Sequence, residues 1–404
     1  MYLTREEERI LNGEEGEAKA VALKLVVKVG EALGAERLVE INHAHASGIS
    51  YDNIGEPGLR FMKRLLESGG RVAVFSTYNP AGTSFLDDAP VNRDPELLQK
   101  QLEVIRTLEA MGFRRSATCI PYTLRQPGLG EHLAWGESSA VAVANSIYGA
   151  RSNREAGPLA LAAALVGRTY RWGLHLPENR KPSIHVRVET GVEGELGAGL
   201  VGYIVGRLSG NLVPYIDTGE GALDERQGIA LCAAAAASGS TAMCLLKGLS
   251  PEDHGPPREP IERVAIGEAE LREALDELST AEPGEAEVFF TGCPHHEPAS
   301  ILEKVRSLVE RYGPPRRPLW IAVPGSVPPG LAAEARRLRR MNIVLLPGTC
   351  LVVTRLRGLV DTVATDSVKT AFYIARRHRT RVALVNLEDY FRLQTGLSPR
   401  QVAP

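Results

Sequence analysis

Apolar positions along the chain alternate between two periods. Ala18, Val21, Ala22, Leu25, Val29 and Leu33 recur at helical spacing and Gly34 stops them, which predicts a helix over 15–34. Short apolar runs at 38–44 and 71–77 read as buried strands, with a Pro-led helix over 57–68 between them. The amphipathic run 94–112 opens on Asp94 as cap and closes on Gly112, then leads to a short strand at 117–120. Further along, strands are expected at 183–190, 212–219 and 241–248, and helices at 194–208 and 223–238. Beyond residue 286, strands are expected within 287–296, 318–326, 343–350, 359–367 and 381–386. The helices between them are expected at 299–313, 330–342 and 369–378. Short apolar strands alternating with helices argue for α/β layers with mainly parallel sheets. The Pro-rich passage 249–260 is the best linker, dividing an N-terminal region 1–250, of one or two lobes, from a C-terminal lobe 251–404.

Composition narrows the class. The 404 residues are 44% hydrophobic, enough to bury more than one core. Forty-seven basic against 49 acidic residues give a net charge of −2 with no basic block, which disfavours nucleic acid as a partner. No apolar run reaches membrane-spanning length and the first residues lack the order of a signal peptide, so no membrane partner is expected and the location expected is cytoplasmic.

Five cysteines, an odd number, do not form an export-type disulfide framework. Cys232 and Cys244 sit inside apolar runs and read as small buried hydrophobes. Cys119, Cys293 and Cys350 each follow a predicted strand with Pro or Gly beside them, in ATCIP, TGCP and PGTC. Ligands bind at the carboxyl ends of strands in open α/β sheets. No pair is spaced as in a zinc ribbon or ferredoxin, so spacing leaves structural thiols, a catalytic thiol and metal ligation all open. A zinc site completed by His295 or His296 is one form of the last.

The densest polar chemistry lies at 116–158. Glu131 and His132 follow a Gly-Leu-Gly turn. Glu137, Ser138 and Ser139 open an Ala/Val-rich helix, and Asn153 and Arg154 follow Gly149. Other strand ends deliver Ser47, Gly48, Ser50, Asn53, Asn79, Asp366, Ser367 and Lys369. Any one of these has a local reading as cap, turn or core residue. Together they place polar groups on one rim.

These segments resemble the aconitase X family. The resemblance is carried by Cys119-x-Pro121-Tyr122, by Gly130-Glu131-x-x-Ala134-Trp135-x-Glu137-Ser138-Ser139-Ala140, and by Gly149-Ala150-Arg151-x-Asn153-Arg154. His45-x-Ser47-Gly48, Tyr51 to Glu56, Asn79 to Gly82 and Asp366-Ser367-x-Lys369 extend it over nearly the whole chain. The resemblance implies an aconitase-like fold of two or three α/β lobes around a central cleft. It also implies an iron–sulfur cluster, [4Fe-4S] with one open iron, on Cys119, Cys293 and Cys350. The implied activity is a hydro-lyase reaction, with mevalonate 5-phosphate or cis-3-hydroxy-L-proline as the substrate, and the phosphorylated hydroxy acid is the first choice.

For that chemistry Glu131, His132 and Glu137 are the expected proton-transfer groups. Lys369 and Arg154 are expected to meet negative charge, and Ser47, Gly48, Ser50, Asn53, Asn79, Ser138, Ser139, Asn153 and Ser367 to orient substrate. No segment reads as the swivelling domain that supplies a catalytic Ser in this family, so a separate small subunit is the expected partner. A non-catalytic iron–sulfur or zinc sensor or scaffold is the alternative of a different class.

Overall fold

The computed structural model describes residues 1–86, 88–219, 221, 223–256 and 261–395. Three sheets with parallel strands, each covered by helices, organise the chain. The first is His43–Ala46 between Phe75–Tyr78 and Leu133–Trp135, all parallel. Beside it, Leu38–Glu40 pairs antiparallel with Arg168–Tyr170. The run expected as one strand at 38–44 is therefore two, because its halves join different sheets.

The second sheet has the order Leu245–Leu246, Pro214–Asp217, Ile184–Val188, Glu262–Ile266. Helices Gly194–Ser209 and Glu225–Gly239 pack closely on each other. A Cβ at Gly202 or Gly206 would collide with the carbonyls of Leu231 or Ala235, so these glycines set the closeness of that pair. The third sheet is five parallel strands in the order Ile343–Pro347, Leu319–Val323, Val288–Thr291, Thr362–Thr365, Arg381–Leu384. One apolar core runs from the second sheet into the third through Val186, Leu200, Leu231, Phe290, Val363 and Ile374.

Residues on both sides of the boundary expected at 250 share the second sheet: Leu245–Leu246 lies before it and Glu262–Ile266 after it. The Pro-rich passage thus links two strands of one layer; its residues 257–260 lie outside those described. The strand expected at 117–120 is instead a loop. Ala117 has φ 38°, and Thr118 N–H reaches Tyr78 O rather than a ladder partner. The run at 241–248 keeps only two strand residues. The helix predicted at 94–112 forms as Pro95–Ala110, and Asp94 accepts from Leu97 N–H at 3.0 Å as its cap. Among the described residues, no helix is long and apolar enough to cross a membrane.

Candidate active site

The three cysteines that follow strands arrive from three directions. Cys119 comes from the loop beyond Phe75–Tyr78 and helix Pro95–Ala110, Cys293 from the end of Val288–Thr291, and Cys350 from the end of Ile343–Pro347. His295 ties these loops together. Its backbone N–H donates to Cys119 Sγ at 3.2 Å, and its Nε2–H donates to Thr349 O at 2.8 Å, next to Cys350. Its Nδ1 faces Thr118 Oγ1 at 3.5 Å. Burial, with Glu137 and Cys293 adding, pushes the Cys119 thiol well up. Burial, with Cys293 adding, pushes the Cys350 thiol up to about 12. Cys293 therefore lies within electrostatic reach of the other two.

The donor set suits a group that takes thiolates from all three cysteines. The three thiols are free, Cys119 buried and Cys293 and Cys350 half-buried, and a bound cation would replace the protons that their surroundings keep on them. A single zinc ion fits less well. Both ring nitrogens of His295 are engaged, and His296 Nε2 is spent on Thr291 Oγ1 at 2.6 Å. Among the described residues, no group of three His, Cys, Asp or Glu side chains gathers to hold one metal ion.

Glu137 and Lys369 form a buried pair beside the cysteines, with Lys369 Nζ 2.6 Å from Glu137 Oε1. Glu137 caps helix Ser138–Ser146, its Oε2 accepting from Ala140 N–H at 2.6 Å and from Ser139 Oγ at 2.7 Å. Burial alone would push this carboxyl up. The Lys369 ammonium, Ser139 and Ala140 N–H outweigh it and hold the group below the usual range. Burial disfavours the Lys369 cation, but Glu137 and the neighbouring thiols hold it charged. The pair therefore stands as an ammonium and a carboxylate. The carboxylate is fully committed to partners, which makes Glu137 the anchor of Lys369 rather than a free base.

Lys369 opens onto a cleft of about 470 Å³, lined also by Cys293, His296, Asp366, Ser367, Arg226 and Tyr122. Ser367 caps helix Val368–His378 through Thr370 N–H and donates to Cys293 O, fixing the thiol loop to the helix that carries Lys369. Helices Gly194–Ser209 and Glu225–Gly239 supply the facing wall through Glu195, Gly199, Arg226 and Ile229. Nothing in the sequence pattern singles out Thr291 or Arg226, and His296 is marked there only as a possible zinc ligand. Asp366 is marked as a strand-end residue that opens the family-like run Asp366-Ser367-x-Lys369.

The first sheet delivers Ser47, Asn79 and Glu137 from the ends of its strands. Ser47 lies against Gly136, where a Cβ would collide with its hydroxyl. Asn79 Oδ1 accepts from His45 Nε2–H at 2.8 Å, and His45 is within electrostatic reach of Glu137. Ser138 lies 3.5 Å from the Glu137 carboxylate. Gly48 takes φ 67° in the adjoining turn and lines, with Ser47, a separate apolar groove. Ser50 is buried at the start of helix Tyr51–Glu67. Asn53, exposed, accepts from Arg377 at 2.6 Å.

Four expected residues are occupied elsewhere. Glu131 pairs with Arg125 at 2.6 Å and accepts from Gly128 N–H, and His132 contacts His175 at 2.9 Å between their Nδ1 atoms. Asn153 uses its amide on Trp172 O and Leu174 N–H to hold a turn. Arg154 is exposed and reaches Ala236 O at 3.4 Å. Nearness in sequence to Glu137 does not carry these side chains into the cleft, because the chain between them turns back through a strand and a helix. The cations that do line it are Lys369 and Arg226.

Comparison with known proteins follows the same outline. Family profiles described as Aconitase X first, second and third domain match residues 1–178, 182–276 and 286–395. Relatives at 35–40% identity are named phosphomevalonate dehydratase large subunit. The one from Aeropyrum pernix is 40% identical over 397 residues, covering 93% of this chain and 96% of its own. The cis-3-hydroxy-L-proline dehydratase of Pseudomonas aeruginosa is more distant, 31% identical over 305 residues, with 74% of this chain and 52% of that protein covered. The crystal structure of Thermococcus kodakaraensis aconitase X in its holo-form superposes with a TM-score of 0.89 at 36% identity, covering 97% of this chain and 99% of that one.

Proposed function

This chain belongs to the aconitase X family, and on that premise we propose that it is the large, catalytic subunit of a hydro-lyase that dehydrates (R)-5-phosphomevalonate to trans-anhydromevalonate 5-phosphate. The observation that carries a dehydratase reading is the buried Lys369–Glu137 pair, whose ammonium lines a cleft together with Cys293 and lies within electrostatic reach of Cys119 and Cys350 as well. The choice of substrate rests on relatives. Those named phosphomevalonate dehydratase large subunit match over nearly their whole length, whereas the hydroxyproline dehydratases are longer and more distant. The reaction would serve a modified mevalonate route to isoprenoids.

Cys119, Cys293 and Cys350 would hold an iron–sulfur cluster, a [4Fe-4S] type with one iron free of protein ligands, which would supply a Lewis acid to the substrate's carboxylate and hydroxyl. Lys369 does the complementary work. Removing the proton α to the carboxylate builds negative charge on the carboxylate oxygens, and an ammonium already fixed by Glu137 meets it without reorganising. Ser138 and Ser139 hold Glu137, and Ser367 holds the Cys293 loop, so both keep the cation in register with the thiols. Arg226 gives the cleft a second cation suited to a phosphate. The base that takes the α proton would be a Ser on a swivelling domain supplied by a separate small subunit, as the resemblance to the aconitase X family implies.

The test is anaerobic co-purification with the small subunit, followed by NMR of water loss from (R)-5-phosphomevalonate and from cis-3-hydroxy-L-proline. Turnover of the phosphate, dependent on the small subunit, supports the reading. Turnover of hydroxyproline alone would replace the substrate, and inertness to both would remove the activity.

A further inference from the structure

Strands Val288–Thr291 and Thr362–Thr365 are parallel neighbours with Phe290 opposite Thr365, so Thr291 and Asp366 leave the sheet side by side. Thr291 Oγ1 lies 2.9 Å from Asp366 Oδ2 and 2.6 Å from His296 Nε2. All three residues line the cleft that Lys369 and Cys293 also line. The other ring nitrogen of His296, Nδ1, has no hydrogen-bond partner among the described residues and is not enclosed.

A threonine hydroxyl has one proton, so this chain has two states. With Asp366 as a carboxylic acid, its O–H donates to Thr291, the Thr291 O–H donates to His296 Nε2, and the imidazole carries its proton on Nδ1. With Asp366 as a carboxylate, Thr291 donates to Asp366, His296 Nε2–H donates to Thr291, and Nδ1 is bare. The two states differ by one proton delivered at Nδ1.

We infer that His296 is the general acid of the dehydration, giving its Nδ1 proton to the departing hydroxyl while Asp366 replaces that proton through Thr291. The inference rests on the dehydratase reading above. The C–O bond breaks with its electron pair on oxygen, which leaves as water once it holds the His296 proton. The C–H pair becomes the new C=C bond, the α proton goes to the base, and Asp366 regains its proton from solvent between turnovers. The imidazole stays neutral throughout, which suits its surroundings. Burial, helped by Lys304, His295 and Arg226, pushes His296 down to about 3. Burial, helped by Glu195 and opposed by Lys304 and Thr291, pushes Asp366 up to about 7. The proton is stored on the carboxyl, and activity falls as pH rises through the ionisation of Asp366.

The holoenzyme with its small subunit tests this through Asp366→Asn, Thr291→Val and Thr291→Ser. General acid–base steps contribute roughly 100-fold or more, so Asp366→Asn and Thr291→Val should lower kcat by about that factor with KM nearly unchanged. Thr291→Ser, which keeps the hydroxyl, should retain most of the rate, and iron content and visible spectrum should match the wild type in all three. The alkaline fall in kcat should vanish in Asp366→Asn. A substrate analogue bearing fluorine in place of the hydroxyl needs no proton to expel fluoride, so it should lose less than about fivefold. Equal losses on both substrates, or a Thr291→Val variant at the wild-type rate, would overturn the relay alone. A wild type inert to both candidate substrates would overturn the functional reading, and this inference with it.

Discussion

Lys369 Nζ lies 2.6 Å from Glu137 Oε1, with both side chains 7% exposed and the two residues 232 positions apart in sequence. Removing one partner of a buried ion pair strands the other and costs about 3–5 kcal/mol, while removing both costs less. Lys369→Met should therefore lower Tm sharply, and adding Glu137→Gln to it should recover part of that loss. A double-mutant cycle by thermal melting measures this, and simple additivity would show that the two residues do not depend on each other. Either single variant should also lower turnover by about 100-fold or more, the order of loss for an electrostatic group at developing charge.

His295 joins the loops of Cys119 and Cys350 through a backbone N–H and a ring N–H. The His295→Ala variant keeps the first bond and loses the second, so the Cys350 loop is freed. Iron and sulfide per chain after anaerobic purification should fall in His295→Ala while secondary structure by circular dichroism stays intact. Full iron retention would mean that the cysteine loops hold their places without this side chain.

Gly136 lies between Trp135, at the end of the first sheet, and Glu137, against Ser47 Oγ. Gly136→Ala adds a Cβ where no space exists, and overpacking of that kind costs about 1–3 kcal/mol. Because Glu137 is the next residue, activity should fall further than the change in Tm alone would predict. Gly136→Ala combined with Ser47→Gly, which removes the closest opposing side chain, should recover part of the Tm loss, the Glu155 carbonyl still lying 3.0 Å from the added Cβ.

Glu155 lies behind this site, buried, and among the described residues its carboxyl has only Tyr170 OH at 2.8 Å and Thr169 Oγ1 at 3.1 Å as partners. Burial pushes its carboxyl up to about 7. A carboxyl raised on folding holds a proton in the native state that the unfolded chain releases. Stability from this group is present below the unfolded value near 4.5 and is lost as pH rises to about 7. Up to ~3 kcal/mol is at stake. Tm of the wild type should drop between pH 5 and 8 by more than that of Glu155→Gln, and parallel curves would contradict this.

Much of this site was legible in the sequence where a local rule placed the residue. Cys293 and Cys350 follow apolar runs that do form strands, and Glu137 caps the helix expected after it. Asp94 does the same for its helix. The reading weakened where tertiary contacts decide. Residues 117–120 look like a strand, yet Ala117 is turned to φ 38° and the segment packs as a loop. Helix Gly157–Val166 is apolar on every side because it is buried on every side, so it shows no helical period to read. Glu131 and His132 share a motif with Glu137 but spend their polar atoms on Arg125 and His175. Asp366 and His296 meet only through Thr291, a pairing set by strand register that no local spacing reveals.

The central claim is that the three cysteines and the Lys369–Glu137 pair form one site for a phosphorylated hydroxy acid. Electron paramagnetic resonance of the reduced, anaerobically purified chain with its small subunit tests it most directly, using the slow Glu137→Gln variant so that substrate persists. The account predicts an iron–sulfur signal that shifts when (R)-5-phosphomevalonate is added and does not shift with cis-3-hydroxy-L-proline. A signal unchanged by the phosphate, or a chain that binds no iron while all three cysteines are intact, would contradict it.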